Sequence, residues 1–370
     1  MGYASMKTHI VTLFCLLSPL NSLAQSNSSA KLETVAQFGK YQPIGLGVSQ
    51  ENRVFVTFPK NPANYDYGLA EIVNGKRIPY PNAEWNQWDS LNPQQRFINV
   101  QALFVDQANA LWVLDPASPS GQKAIPEGIK LLKINLKTNR IETIYRFEDL
   151  ARDRTALNDV QIDTRRQKAY LSDPGRGAIV VLDLISGKSR TVLETAPSTK
   201  ADPDFVLTID GKQVRDRQGN PFRSHVNGIA LTHDFKYLYF RPITQTKLYR
   251  INVDDLVNER LSPAELSTHV ESMGETGISH GMIADKEGRI YLTDSPDKAI
   301  RYFIPGVSEP NRRLRVLVQD NRLLWPDSFG IGTDGYLYIT AAQIHRTRRY
   351  NNGEDKVDYP FGLYRVKLPD

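Results

Sequence analysis

Five polar residues stand at one position of a repeating pattern, and their types are those that hold ligands and move protons. Asn99, Asn158, Asn227, His280 and Asp327 each precede the central aromatic of an aliphatic–aromatic–aliphatic triplet, at a nearly constant distance along the chain. A histidine with a carboxylate neighbour is suited to proton transfer near neutral pH. His280 and Asp327 are therefore the candidate catalytic pair, exchanging protons with a small aromatic or polar metabolite in a tautomerisation or a lactone opening. Asn99, Asn158 and Asn227 are candidate ligand-binding residues. The competing reading is that such residues cap strands and satisfy turn backbones, as Asn and Asp often do.

The triplets are Val54-Phe55-Val56, Leu111-Trp112-Val113, Ala169-Tyr170-Leu171, Leu238-Tyr239-Phe240, Ile290-Tyr291-Leu292 and Leu337-Tyr338-Ile339. A recurring phrase of this kind, built from short strands, marks the blades of a β-propeller. A second apolar strand follows each triplet, and several blades show a fourth. Hairpin turns such as Asp285-Lys-Glu-Gly288 join the first two strands of a blade. Leu32 to Phe38 precedes the first full blade and is expected to close the ring as the outer strand of the last. The fold class is all-β, a six-bladed propeller with four-stranded blades, in one domain over residues 25–370. The first strand of each blade then lines the central channel, and the five polar residues converge at one mouth. Blade one offers only Pro43-Ile44 there.

Two insertions, 75–98 and 194–226, are expected to overhang the same mouth, since long loops on a rigid scaffold often carry specificity. The first brings Trp85 and Trp88, which either wall a pocket for a flat or cationic ligand or pack the loop against the body. The second contains a hairpin around Asp210-Gly211 and is read as a mobile lid, with His225 entering the pocket rim. On that reading, deleting Lys200 to Asn220 spares the melting temperature. Arg241 stands where other blades place Asp115, Asp173 and Asp294, so it is the rim residue suited to an anionic ligand group.

The chain begins with a short basic and then apolar stretch ending at Ser22-Leu23-Ala24, which resembles a secretory signal peptide over residues 1–24. The expected location is the bacterial periplasm or exterior, with no stable membrane insertion. Cys15 is the one cysteine, so the mature chain has no disulfide. Loss of Lys7 with the leader takes the formal charge from +5 to +4. The basic clusters Arg312-Arg313-Leu-Arg315 and Arg346-Thr-Arg348-Arg349 read as solvated loop and edge-strand charges, or as contacts for an anionic partner. No basic stripe or aromatic-interleaved motif points to nucleic acid.

Tyr80-Pro-Asn-Ala-Glu-Trp85, Phe97-Ile-Asn-Val-Gln101, Leu111-Trp-Val-Leu-Asp115, Ala169-Tyr-Leu-Ser-Asp173, Gly177-Ala-Ile-Val-Val-Leu-Asp183, Asn227-Gly-Ile-Ala-Leu231 and Leu324-Trp-Pro-Asp-Ser-Phe329 carry a resemblance. In their order and spacing, over about residues 40 to 368, the chain resembles the Yellow/major royal jelly protein family in a bacterial form. The resemblance implies a six-bladed propeller with an axial ligand tunnel. Some members are linked to dopachrome conversion and some bind biogenic amines. More distantly the chain is similar to the gluconolactonase–regucalcin propellers, which hold a divalent cation with one Glu, two Asn and one Asp. Asn158-Asp159 and Asn227-Gly228 match the two Asn motifs, whereas His280 stands at the Asp position and no Glu occurs around Ile44 to Gly47. Without both carboxylates the ligands left are neutral and poor for a hard cation such as Ca²⁺. No gluconolactonase-type metal site is therefore expected, and Asn158 and Asn227, with a charge from Asp327 on another blade, are weak candidates for a loosely held ion at the channel mouth. Three functions follow as expectations: an isomerase or lactone hydrolase, a binding module for amines or catechols, and a propeller that meets a protein partner through its outer face.

Overall fold

The computed structural model describes residues 1–2, 30–60, 64–119, 125–309 and 313–369. The leader therefore lies almost wholly outside the described residues. No described helix is long and apolar enough to cross a membrane.

Among the described residues, six four-stranded antiparallel sheets form the ring. Their innermost strands are Leu46–Val48, Ala102–Val105, Val160–Asp163, Val226–Leu231, Met282–Ala284 and Pro326–Ile331, and each meets the inner strands of the blades beside it. The triplets are the centres of the second strands, and every triplet aromatic is buried. In four blades its polar tip is tied to an aspartate in the turn just before it. Trp112 Nε1 donates to Asp106 at 2.7 Å, Tyr170 Oη to Asp163 at 3.3 Å, Tyr291 Oη to Asp285 at 3.0 Å and Tyr338 Oη to Asp334 at 2.8 Å. A buried hydroxyl or indole N–H needs such a partner, and each bond contributes about 1–2 kcal/mol. Phe55 of blade one has no polar tip and instead lies under the guanidinium of Arg53, 5.1 Å from its ring centre.

Glu33–Gln37 closes the ring by pairing antiparallel with Gly362–Lys367, outside Tyr336–Ala341 and Pro326–Ile331. An Arg365–Glu33 ion pair at 2.9 Å fastens the seam. Two short helices, Val253–Val257 and Pro263–Thr268, intervene before the outer strand of blade four, Glu271–Glu275. The strand pattern of the sequence does not announce them, but their caps do locally: Asn252 accepts from Asp254 N, and Ser262 forms a capping box with Glu265.

Candidate functional site

One residue from each blade faces a cavity of about 350 Å³ at one end of the channel: Ile44, Gln101, Asn158, Asn227, His280 and Asp327. All six stand at the same distance before their triplet aromatic, to within a single position. In four blades the position two residues after that aromatic is a threonine or serine that fastens backbone beside these residues. Its hydroxyls clip backbone around the cavity: Thr293 Oγ1 accepts from His280 N at 2.9 Å, Thr340 Oγ1 from Ser328 N at 3.1 Å, Thr57 Oγ1 from Gly45 N at 2.7 Å and Ser172 Oγ from Asp159 N at 3.0 Å. Register breaks at Asn227-Gly228 and Asp327-Ser328 interrupt the inner strands. A bulge of this kind turns a side chain out of the regular alternation, here toward the axis. Glycine follows because the next blade comes close. A Cβ at Gly228 would lie 2.6 Å from His280 O, and one at Gly281 would lie 1.9 Å from Asp327 O.

The amides form a directed chain. Gln101 Nε2 donates to Asn158 Oδ1 at 3.2 Å, and Asn158 Nδ2 donates to Asn227 Oδ1 at 3.0 Å. His280 is buried, and its Nε2 meets Ser295 Oγ at 2.7 Å, while its Nδ1 has no hydrogen-bond partner among the described residues. Its ring stacks on Trp325 with centroids 4.0 Å apart, and His345 lies parallel to the same indole at 5.9 Å. Burial, with positive charge from His345 and Arg241 behind it, drives His280 down to about 3, so the imidazole is neutral. Burial pushes Asp327 up to about 7, opposed by hydrogen bonds from Ser328 and Trp325 and reinforced by Asp159. Asp159, one residue beyond Asn158, is raised to about 7 by burial as well. Both carboxyls still reach solvent through the channel, which moderates the cost of ionising them.

The expected pairing of His280 with Asp327 takes a different form. The imidazole is anchored to Ser295 rather than to the carboxylate, and Asp327 is the carboxyl lining this cavity that burial pushes up to about 7. Asn99 lies outside the cavity lining. Its Oδ1 accepts from Lys60 N at 2.7 Å and its Nδ2 donates to Ser118 O at 2.8 Å, so it ties two loops together, and Gln101 stands in its place. Arg241 is fully buried: its guanidinium donates to Thr276 Oγ1 and to the carbonyls of Gln245 and Gly277. It occupies the position that four other blades give to a hydroxyl and is engaged by Thr276 and by backbone carbonyls, not presented at the rim. His225 accepts from Ala201 N at 2.8 Å, tying together the two ends of the 194–226 insertion, and also lies outside the cavity lining. Trp85 packs on Phe97 at 5.4 Å, and Trp88 lies under Lys60 Nζ at 3.1 Å. The 75–98 insertion is thus folded onto blades one and two, held by buried Asn86, whose Oδ1 accepts from Gly68 N and Leu69 N.

The 194–226 segment does lie over the mouth. Asp216, Asn220, Pro221, Phe222, Arg223 and Ser224 line the cavity. It is packed rather than loose: Leu207, Ile209 and Val214 are buried with Ile44, Ile278 and Trp325. The expected hairpin is present as Thr208–Ile209 paired with Lys212–Gln213. Arg349 and Arg223 sit exposed at the entrance.

The residues do not fit a gluconolactonase-type cation. Both amide oxygens that would ligate it already accept hydrogen bonds within the chain, Asn158 Oδ1 from Gln101 and Asn227 Oδ1 from Asn158. Ile44 fills the place of the glutamate and a neutral imidazole that of the aspartate. A hard dication needs charged oxygen donors.

A family model described as "Major royal jelly protein" matches residues 98–369. Major royal jelly protein 1 of Apis mellifera is 25% identical over 292 residues, covering 74% of this chain and 64% of that protein, so the chain spans less than two thirds of that relative's length. Among solved structures, a gluconolactonase from Xanthomonas campestris superposes with a TM-score of 0.53 at 10% identity, over 92% of this chain and 91% of that one. A streptogramin B lyase superposes with a TM-score of 0.50 at 14% identity, over 91% and 98%. At such identities the likeness is one of fold.

Proposed function

This chain belongs to the major royal jelly protein family, and from that premise we propose that its channel mouth binds a small polar or aromatic metabolite and moves a proton on it. The observation that carries this is a pair of residues at the wall of one cavity: His280, whose buried imidazole leaves Nδ1 without a partner among the described residues, and Asp327, whose carboxyl is pushed up to about 7. A buried polar atom left unpaired costs about 1–3 kcal/mol unless a ligand or solvent meets it. A carboxyl near neutrality is matched to general acid–base work at working pH.

The division of labour follows from the two environments. Neutral His280 orients the ligand through Nδ1. Asn227 offers its amide N–H at the free end of the Gln101–Asn158–Asn227 chain. Ionised Asp327 takes a proton from one atom of the ligand and returns it to another, so that a tautomerisation conserves every atom and leaves the enzyme unchanged. Opening of a lactone would need the same carboxylate to activate water. Export to the periplasm or exterior is part of this reading, and mass measurement of the mature N-terminus tests it.

The test of catalysis is turnover of cyclised catechol derivatives and sugar lactones by the parent, His280→Ala and Asp327→Ala. Loss of turnover in both variants, with the fold intact by circular dichroism, supports the assignment. Full activity in both contradicts it. Binding without product in the parent identifies the chain as a ligand-binding module that uses the same cavity.

A further inference from the structure

The channel does not end at the His280 level. Consecutive residues point to opposite sides of a waist: Asn158 and Asp327 face the first cavity, Asp159 and Ser328 face a second of about 510 Å³ at the other end of the ring. The wall of this second chamber is apolar in nearly every blade. Leu46, Leu103, Ile162, Leu231, Met282 and Phe329 border it from the buried core between the blades, and Phe104, Val105, Ile283, Ala284 and Ile331 line it with part of their surface exposed. Apolar surface that faces only water is unfavourable, so the part-exposed side chains among these favour an apolar occupant. Polar groups within the chamber are engaged by the protein itself. Gln161 donates to Ile229 O and accepts from Leu231 N, and Asp159 accepts from Val160 N and Ile229 N. Asp106 and Asp285, at its outer end, are tied to Trp112 and to Arg289 and Tyr291.

We propose that this chamber is a second binding site, for a small, uncharged, largely apolar molecule with at most one hydrogen-bonding group, which would meet Asp159 at the waist. The ring of six inner strands fixes the width, so a folded partner has no room to enter. The chamber's volume falls within the range of pockets that hold compounds of drug size. Apolar cavities of smaller volume stay dry and take up aromatic hydrocarbons. This site is independent of the proton chemistry proposed for the other mouth.

N-Phenyl-1-naphthylamine, neutral and apolar, is a suitable probe. Of the four methionines, Met282 lies in the chamber wall and Met273 on the outer strand of blade four. In protein labelled with ¹³C at the methionine methyls, the Met282 signal, assigned through Met282→Leu, is expected to shift saturably at one probe per chain while Met273 stays. Met282→Trp, which fills the chamber, is expected to weaken binding at least 10-fold, as is Ile331→Lys at its rim if the larger side chain impairs folding. An unmoved Met282 signal, equal shifts of both methionines, or unchanged binding in a folded filling variant overturns the proposal.

Discussion

The imidazole of His280 lies nearly parallel to the indole of Trp325, with ring centroids 4.0 Å apart and planes inclined by 19°. Trp325 is buried and holds a positive φ of 57°, so packing on both sides of the mouth fixes an otherwise unfavourable backbone. The stack joins His280 of blade five to the 194–226 segment, because Phe222 meets the same indole edge-on at 5.3 Å.

Replacing Trp325 by alanine therefore removes a shared wall. The expected cost is about 3–5 kcal/mol in urea unfolding, as for other buried aromatics. It also admits solvent to His280, so the imidazole, at about 3 in the parent, is expected to titrate higher by NMR. An unchanged stability and an unchanged His280 titration would show that the stack is incidental.

Opposite pH dependences are expected from the two site groups. Asp327 holds its proton more tightly when folded, at about 7 against an ordinary 3.8, so its contribution is fully present below the ordinary carboxylate range and is lost as pH rises toward 7. Asp327→Asn should therefore gain stability over the parent between pH 4 and 8, on the order of 2 kcal/mol after allowing for solvent in the channel. His280 behaves inversely: its folded value of about 3 lies below the ordinary 6.5, so the parent loses stability as pH falls from 6.5 toward 3, and His280→Gln should flatten that acid limb. Thermal melts of the three proteins from pH 4 to 8 check both signs.

Leu207 is buried in the cluster over the mouth. Leu207→Ala should cost about 2–4 kcal/mol. Deletion of Lys200 to Asn220 removes Leu207, Ile209 and Val214 together and should lower the melting temperature by well over the scatter of a melt. A deletion variant that melts like the parent would mean that the segment carries no structural weight.

The propeller was legible because its repeat is enforced twice, by burial of each triplet aromatic and by the turn aspartate that accepts from it, as in Trp112 with Asp106. Asn158, Asn227, His280 and Asp327 were legible because a fixed distance along a strand means a fixed level on the axis. Gln101 was missed because Asn99, two positions earlier, reads more readily as a polar terminus, yet the uniform spacing to the triplet aromatic singles out Gln101. Arg241 misled because charge at a strand end suggests a rim. Its alignment with Thr57, Ser172, Thr293 and Thr340 is the signal that it serves backbone. Nothing local tells which way a loop tryptophan packs, so Trp85 and Trp88 were settled only by their neighbours Phe97 and Lys60.

Calorimetric titration of the parent, His280→Ala and Asp327→Asn with catechols, aromatic amines and sugar lactones tests the central claim most directly. At least one compound is expected to bind the parent at one per chain, and at least 10-fold more weakly to each variant. Equal affinity across the three folded proteins, or no heat from any compound with the parent, would contradict a ligand site built around His280 and Asp327.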